Sequence, residues 1–131
     1  MVEEDNKNGI KVVPLVGPSS ILLAMMSSGF NGQNFTFNGY LPIDKGERKA
    51  KIKKLEKRSS QENQSQLFIE TPYRNNQMLE SLTTTLQKST EICVACDITL
   101  STEFIRTASA HDWKYIKVDL HKRPTLFIIQ A

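Results

Sequence analysis

Apolar and polar blocks alternate along the chain in a way that predicts strands and helices in turn. "GIKVVPLV" predicts a strand, and a helix follows from about Pro18 to Ser28, closed by Gly29. "FTFNGYLP" predicts a second extended segment, after which residues 45–58 predict a charged helix with a thin apolar edge at Ile52 and Leu55. The stretch "SSQENQSQ" is then expected to be a polar loop.

The second half of the chain repeats this alternation. "QLFIETP" predicts a third strand, and the next helix opens with Thr71 as N-cap and Pro72 at the first helical position. "EICVACDIT" predicts a fourth strand, "STEFIRTASAHDWKYI" a short extended piece with a helical turn or two, and "RPTLFIIQA" a last strand. An alternation of this kind indicates an α/β layer fold. The apolar positions on one face of the helix after Pro72 are Met78, Leu79, Leu82 and Leu86.

The first helix is apolar on nearly every side. Its stretch "ILLAMM", residues 21–26, contains no polar residue, whereas a surface helix normally has one apolar stripe. Packing on a sheet covers one face only, so we expect a missing domain or a second subunit to cover the other. The two methionines suit an adaptable interface.

Length and composition fit one domain with a substantial core. The chain has 131 residues, of which 39% are hydrophobic and 24% charged, and its net charge of +3 permits an anionic partner without requiring one. The acidic start "MVEEDNKNG" lacks the pattern of a signal peptide, and no apolar run approaches the ~20 residues that cross a bilayer. We therefore expect a cytoplasmic protein without a membrane partner.

The two cysteines form the pair "CVAC", which could suggest a redox or metal half-site. Residues three apart in a strand point to opposite faces, so the thiols of Cys93 and Cys96 are expected to diverge. No second ligand pair accompanies them. We therefore expect two small buried side chains and no metal.

Three predicted strand-to-helix or strand-to-loop junctions contain residues that suggest a ligand site, because ligands of open α/β sheets bind at the carboxyl ends of strands. In the first, Gly17 permits close backbone approach, and the N–H groups that follow Pro18 form a donor cluster. The alternative is an ordinary helix start. The three junctions comprise Gly17, Pro18, Ser19 and Ser20; Glu70, Thr71, Pro72, Tyr73 and Arg74; and Asp97 and Thr99.

In the second junction, Glu70 ends a buried strand, where a carboxylate requires a partner or a ligand. Arg74 lies in the first helical turn, a poor place for a cation in the helix dipole, so it is expected to serve another group such as Glu70 itself. A purely structural pair is the alternative.

The basic segment between Lys45 and Arg58 contains eight lysines and arginines and could contact phosphates. The alternative is a solvated helix face with interleaved charges, which the absence of interleaved aromatic residues favours. His111 and His121 have no clustered partners and do not suggest a metal site or a nucleophile's base.

Five motifs occur in an order typical of a known family: "VVPLVGPSSILLAM", "FTFNGYLP", "FIETPYR", "ACDITLSTEFIRTASAHDW" and "RPTLFII". From about Gly9 onward the chain resembles the tetrapyrrole (corrin/porphyrin) methylase superfamily, in particular its ribosomal RNA small-subunit methyltransferase I branch. The resemblance implies an α/β fold with a mixed sheet of about five strands and helices on both faces, the second domain of two.

In that family S-adenosylmethionine binds between the two domains, and homodimers are common. The family's first domain has a glycine- and proline-rich cofactor loop that this chain lacks. The resemblance therefore implies that residues 1–131 are a C-terminal domain with half a cofactor site, without activity alone, and with a missing N-terminal domain as partner.

Carried over by position, the resemblance implies three stretches that contact the cofactor, largely through backbone and van der Waals contacts. It also implies a substrate-facing set, and it assigns neither a catalytic base nor a metal. The cofactor-binding positions are Gly17, Pro18, Ser19, Ser20, Phe68, Ile69, Glu70, Pro124 and Thr125, and the substrate-facing ones are Tyr73, Arg74 and Asp97.

The motifs depart from the RNA-methylating branch at two points. "IETPYR" stands where that branch has "YESPHR", and "ACDITL" where it has "ARELTK", so Tyr73 replaces a histidine while Cys96 and Asp97 replace an arginine and a glutamate. The acceptor is therefore expected to be a ribosomal RNA ribose 2′-hydroxyl or else a corrin or porphyrin ring. A non-catalytic α/β module for dimerisation or for a nucleotide-like ligand is the alternative function.

Overall fold

The computed structural model describes residues 18–30 and 32–131, except for the side chains of Pro18 and Ser19. The predicted strand over residues 9–16 lies outside the described residues. The elements, in chain order, are α1 (Pro18–Ser28), β1 (Phe35–Tyr40), α2 (Lys45–Glu62), β2 (Ser65–Ile69), a 3₁₀ turn (Pro72–Arg74), α3 (Asn75–Thr85), β3 (Glu91–Cys96), β4 (Phe104–Ser109), α4 (Ala110–Trp113) and β5 (Thr125–Gln130).

The five described strands form one mixed sheet in the order β1-β2-β5-β3-β4. β1 runs parallel to β2, and the other three pairings are antiparallel. The last strand, β5, therefore lies at the centre between β2 and β3, which point the same way. This architecture confirms the predicted fold class.

Helices cover both faces of the sheet. On one face α2, α3 and α4 pack over a core in which the rings of Phe68 and Phe127 stack with their centroids 5.9 Å apart. On the other face α1 contributes Ala24 and Met25. The helix residues of the first core are Ile52, Leu55, Met78, Leu82, Ala110 and Trp113, and the strand residues of the second are Leu67, Ile69, Cys93, Ala95, Leu126 and Ile128.

The two-residue period of β3 separates the cysteines as predicted. Cys93 belongs to the core under α1, and Cys96 to the core under the other three helices, and both thiols are free and buried. Among the described residues no group of three or more His, Cys, Asp or Glu side chains could hold a metal ion. No described helix is both long and apolar enough to cross a membrane.

Helix α1 ends as predicted, since Gly29 adopts φ +82°, the left-handed conformation that suits a helix terminus. The prediction was wrong at the end of α2, which continues into the expected polar loop as far as Glu62. Ser59 explains the extension, because it is fully buried and its Oγ accepts a hydrogen bond from the N–H of Ala131 at 2.9 Å. The helix ends only at Asn63, which is left-handed with φ 49°.

The start of the next helix also differs from the prediction. Pro72 opens a 3₁₀ turn, and the α-helix begins only at Asn75. Thr71 precedes the turn but its side chain makes no capping hydrogen bond. The apolar face is confirmed: Met78, Leu82 and Leu86 are buried, and Leu79 packs against them.

We predict that neither cysteine reacts with a thiol reagent in the folded protein. Burial raises the pKa of Cys93 to about 11 and also raises the pKa of Cys96. The thiolate is the nucleophile, so at pH 8 only about 0.1% of a thiol with that pKa is reactive. Ellman's reagent should label well under one equivalent in native buffer and two equivalents in guanidinium chloride, one for each cysteine.

The Cys93→Ser variant is the control, with one equivalent expected after unfolding. Because the shift is upward, the slow native labelling rate should still be rising between pH 9 and 10, where an ordinary thiol of pKa ~8.5 approaches its plateau. Rapid native labelling of either thiol at pH 8 would contradict the burial of the β3 strand.

Candidate functional site

The carboxyl ends of β1, β2 and β3 meet at one edge of the sheet, together with the beginnings of β5 and β4. Ile69 near the end of β2 lies opposite Leu126, and Cys96 at the end of β3 lies opposite Thr125. Tyr40 at the end of β1 pairs with Ile69. The sheet thus brings the second and third predicted junctions and the start of the last strand to one edge, as an antiparallel central strand requires.

Phe68 and Ile69 point to opposite faces just before this edge. Phe68 is fully buried in the core beside Phe127, whereas Ile69 belongs to the cluster under α1 and is 8% exposed. A bound ligand could therefore touch the side chain of Ile69, but only the backbone of Phe68. This agrees with the kind of contact that the sequence predicts here, while their role as cofactor contacts stays a prediction.

Glu70 is buried at the end of β2, and its cationic neighbour is Arg48 of α2. Oε1 of Glu70 accepts a hydrogen bond from the N–H of Thr71 at 2.7 Å. Oε2 lies 3.9 Å from Nη1 of Arg48 and has no hydrogen-bond partner among the residues that the structure describes. The sequence correctly indicated that the carboxylate needs a cation, but the cation that it suggested, Arg74, is not the one that lies beside it.

Tyr73 and Arg74 lie in the 3₁₀ turn that follows. The ring of Tyr73 is exposed, meets the ring of His121 edge to face at 5.6 Å, and has Nζ of Lys122 at 6.0 Å from its centroid. The N–H of Lys122 donates to the carbonyl of Pro72 at 3.0 Å. The turn is therefore joined to the loop before β5. The ring of Tyr73 and the ammonium group of Lys122 lie near each other at the sheet edge.

Asp97 is buried at the end of β3 and is held by Arg123. Its Oδ2 accepts from Nε of Arg123 at 2.8 Å and from Oγ1 of Thr102 at 2.9 Å. The remaining guanidinium nitrogens of Arg123 donate to the carbonyls of Asp119 and Thr102, each at 2.8 Å. The hydrogen bond to Asp97 raises the pKa of Arg123. Asp97 has a structural task, so its substrate-facing role stays a prediction.

Asn75 is a site residue that the sequence did not reveal. It is fully buried at the start of α3, where its Nδ2 lies 2.6 Å from the carbonyl of Arg123 and 3.3 Å from that of Leu120. Carbonyls only accept, so these contacts fix which end of the amide carries the nitrogen. Nothing in the sequence distinguishes this asparagine from an ordinary residue of a first helical turn.

The other end of the Asn75 side chain, Oδ1, is buried and has no hydrogen-bond partner within the described part of the chain. Buried acceptors are normally paired, so an orphan at a ligand edge marks a position that a donor can fill. Beside it, Oγ1 of Thr125 donates to the carbonyl of Arg123 at 2.9 Å and lies 3.2 Å from Nδ2 of Asn75. The carbonyl of Pro124 accepts from the N–H of Asp97 at 2.9 Å.

The first predicted junction is described only in part. Gly17 lies outside the described residues, Pro18 and Ser19 are described as backbone at the start of α1, and Ser20 is half-buried. The C-terminal end of α1 is fixed on β4, because Oγ1 of Thr107 donates to the carbonyl of Ser28 at 2.8 Å. Whether the two serines contact a cofactor stays a prediction.

The outer face of α1 is apolar and exposed, as "ILLAMM" suggested. Leu22 is 54% exposed and Met26 is 79% exposed, with Leu23 beside them. Large exposed apolar side chains also follow the carboxyl ends of three strands. These edge residues are Tyr40 at the end of β1 and Ile43 after it, Tyr73 after β2 and Leu100 after β3. Exposed apolar side chains thus follow the same strand ends as the paired carboxylates Glu70 and Asp97.

We predict that Arg123→Ala destabilises the fold by about 2 kcal/mol, since it leaves the buried Asp97 carboxylate with only the hydroxyl of Thr102 and removes the donor from two carbonyls. The free energy of unfolding from urea titration measures the loss. Arg106→Ala is the matched control, because Arg106 is exposed on β4 and makes no ion pair with the described residues. Equal stability of the two variants would show that the Asp97 pair contributes nothing.

Comparison with protein-family models finds no match for this chain. The ribosomal RNA small subunit methyltransferase I of Vibrio cholerae is 31% identical over 81% of this chain and 35% of its own length. The protein of the same name from Thermotoga maritima is 37% identical over 81% of this chain and 46% of its own length. The chain thus spans less than half the length of these curated relatives.

Among solved structures, the cobalt precorrin-4 methyltransferase CbiF matches 95% of this chain and 54% of its own chain, with a TM-score of 0.55 and 9% identity. At that identity the likeness concerns the fold alone. The curated relatives and this shared fold agree with the motif order in the sequence. The curated relatives confirm the predicted resemblance to ribosomal RNA small-subunit methyltransferase I, and CbiF shares the fold that this resemblance implied.

Proposed function

We propose that this chain is the C-terminal, cofactor-binding domain of an S-adenosylmethionine-dependent methyltransferase that acts on a ribose 2′-hydroxyl of small-subunit ribosomal RNA. The observation that carries the proposal is the match to two proteins named ribosomal RNA small subunit methyltransferase I, at 31% and 37% identity. The convergence of separate predicted contact stretches at one sheet edge supports it.

The edge residues fit such a cofactor by their chemistry. Oδ1 of Asn75 is a buried acceptor without a partner, and S-adenosylmethionine carries amino and hydroxyl donors. In the proposed cofactor site, the backbone around Phe68 and Glu70 and the start of β5 at Thr125 would lie beneath the cofactor. The side chain of Ile69 would give it an apolar contact. When bound, the cofactor supplies an activated methyl group, and the chain's part is to hold it and to orient the acceptor.

Partners and location complete the proposal. A domain preceding this one would cover the sheet edge, and a second copy would cover the outer face of α1. The exposed side chains of Leu22, Leu23 and Met26 support the second contact, because apolar patches of this kind mark interaction sites. The cytoplasmic location predicted from the sequence fits an enzyme that meets ribosomal RNA.

The acceptor is tested with the protein expressed from its full reading frame. We expect isothermal titration with S-adenosylhomocysteine to show saturable binding, and labelled methyl groups to appear on unmodified small ribosomal subunits. Absence of any heat of binding would reject the methyltransferase in favour of a non-catalytic module. Label that appears only on a porphyrin or corrin would retain the enzyme and reject ribosomal RNA as the acceptor.

We predict that Tyr73→Ala raises the KM for the RNA acceptor about tenfold, because loss of an exposed stacking ring costs roughly 1–3 kcal/mol in binding. The dissociation constant for S-adenosylhomocysteine should not change. Tyr115→Ala is a matched control: Tyr115 is similarly exposed, at 76% against 67%, and likewise meets a histidine edge to face at 5.6 Å. Equal KM values for the two variants would argue against a substrate-facing Tyr73.

A further inference from the structure

A cationic groove runs between α2 and α3, beside the sheet edge but outside it. It consists of two adjoining cavities of about 250 and 330 Å³, which share Lys45, Arg48 and Ser81 in their linings. Arg74 lines the larger cavity and belongs to the turn that follows Glu70, so the groove reaches the candidate site. The charged side chains of the lining are Lys45, Arg48, Lys49, Arg74 and Glu80.

Arg48 is the feature that a solvated helix face does not explain. It is only 6% exposed, yet within the described part of the chain its guanidinium donates no hydrogen bond, and its nearest acid, Glu70, is 3.9 Å away. Burial of a charged fork with unused donors costs free energy that an oxyanion in the groove would offset. Both cavities open onto this side chain.

We propose that the groove between α2 and α3 binds a phosphodiester of the RNA acceptor, with Arg48 as a buried fork and Lys45, Lys49 and Arg74 around it. A guanidinium matches phosphate oxygens in pairs, and the lysines add point charges. The inference rests on the proposed function, since it assumes an RNA acceptor at the adjacent edge.

The lining favours an RNA backbone over other anionic partners. It contains one large apolar side chain, Ile43, so an acidic peptide would find little to anchor it. It contains no aromatic ring, so the contact is to phosphate and ribose and does not distinguish bases. Tyr73, next to Arg74, is the aromatic residue that lies toward the sheet edge.

The test uses the full-length protein and a short fluorescein-labelled single-stranded RNA, with anisotropy measured at several salt concentrations. Lys45→Gln/Lys49→Gln should weaken binding roughly tenfold and reduce the slope of log affinity against log salt by about 1.4, the value for two lost phosphate contacts. Lys51→Gln/Lys54→Gln removes the same charge from α2 outside both cavities, and should change affinity less than twofold.

Arg48→Lys separates binding from a structural role, because it retains the charge beside Glu70 and loses the fork. We expect RNA affinity to fall several-fold with the urea midpoint unchanged. A lower urea midpoint with unchanged RNA affinity would overturn the proposal. Equal losses of RNA affinity in the Lys45/Lys49 and Lys51/Lys54 variants would also overturn it. So would a failure of the unmutated protein to bind RNA. Competition by inorganic phosphate at micromolar concentration would also overturn it in favour of a small-anion site.

S-adenosylhomocysteine titration on the same samples distinguishes the two proposals. Cofactor binding without RNA binding would reject the groove and leave the methyltransferase intact. RNA binding that depends on Lys45 and Lys49 without cofactor binding would support the groove and reject the proposed enzyme.

Discussion

The central position of β5 is the constraint on which the described structure depends. This last strand is hydrogen-bonded to β2 on one side and to β3 on the other, and its residues from Thr125 to Ile129 are buried. Because β5 runs against both neighbours, their carboxyl ends must lie at the same edge, where β5 begins. The site edge is therefore a consequence of where the final segment of the chain inserts.

The loop that leads into β5 is held in place by several hydrogen bonds. Asn75 contacts the carbonyls before it, Arg123 bonds three separate backbone or carboxylate oxygens, and Lys122 is bonded to the turn after β2. These bonds connect the ends of β2 and β3 through the loop before β5. A candidate site assembled from three loops keeps its geometry only if such contacts hold the loops together.

Two buried carboxylates at this edge, Asp97 and Glu70, differ in how closely a cation pairs with them. Asp97 receives a close hydrogen bond from Arg123 at 2.8 Å, so its charge is compensated within the described chain. Among the described residues Glu70 has the N–H of Thr71 at 2.7 Å and one cation, Arg48, at 3.9 Å, and both charged groups retain unused hydrogen-bonding capacity. The first pair is a structural pair, whereas the second leaves a guanidinium facing a groove.

The local sequence pattern predicted most of the described helices and strands, but not the contacts between residues far apart in the chain. The opposite burial of Cys93 and Cys96 follows from the period of a strand, and Gly29 marks a helix end by its own conformational freedom. The extension of α2 was missed because Ser59 is a small polar residue whose burial depends on a bond to Ala131, 72 residues away.

The pairing of Glu70 with Arg48 was missed for the same reason. Many cations lie in the charged helix, and no spacing rule selects the one that the sheet end approaches. The orphan oxygen of Asn75 arises only once the loop before β5 has filled the other end of the amide. Sequence therefore indicated which junctions lie at the carboxyl ends of the described strands, while the partners of individual polar atoms required the fold.

Two surfaces near the edge differ in chemistry, and this difference determines which kind of partner each can bind. The outer face of α1, with Leu22, Leu23 and Met26, offers apolar area and no charge, and suits a protein surface. The groove by Arg48 offers several cationic side chains and one large apolar side chain, Ile43, which suits a polyanion. Under the proposed function, a separate cationic groove would leave an RNA acceptor its own approach to the edge, so that binding of protein and of RNA need not compete.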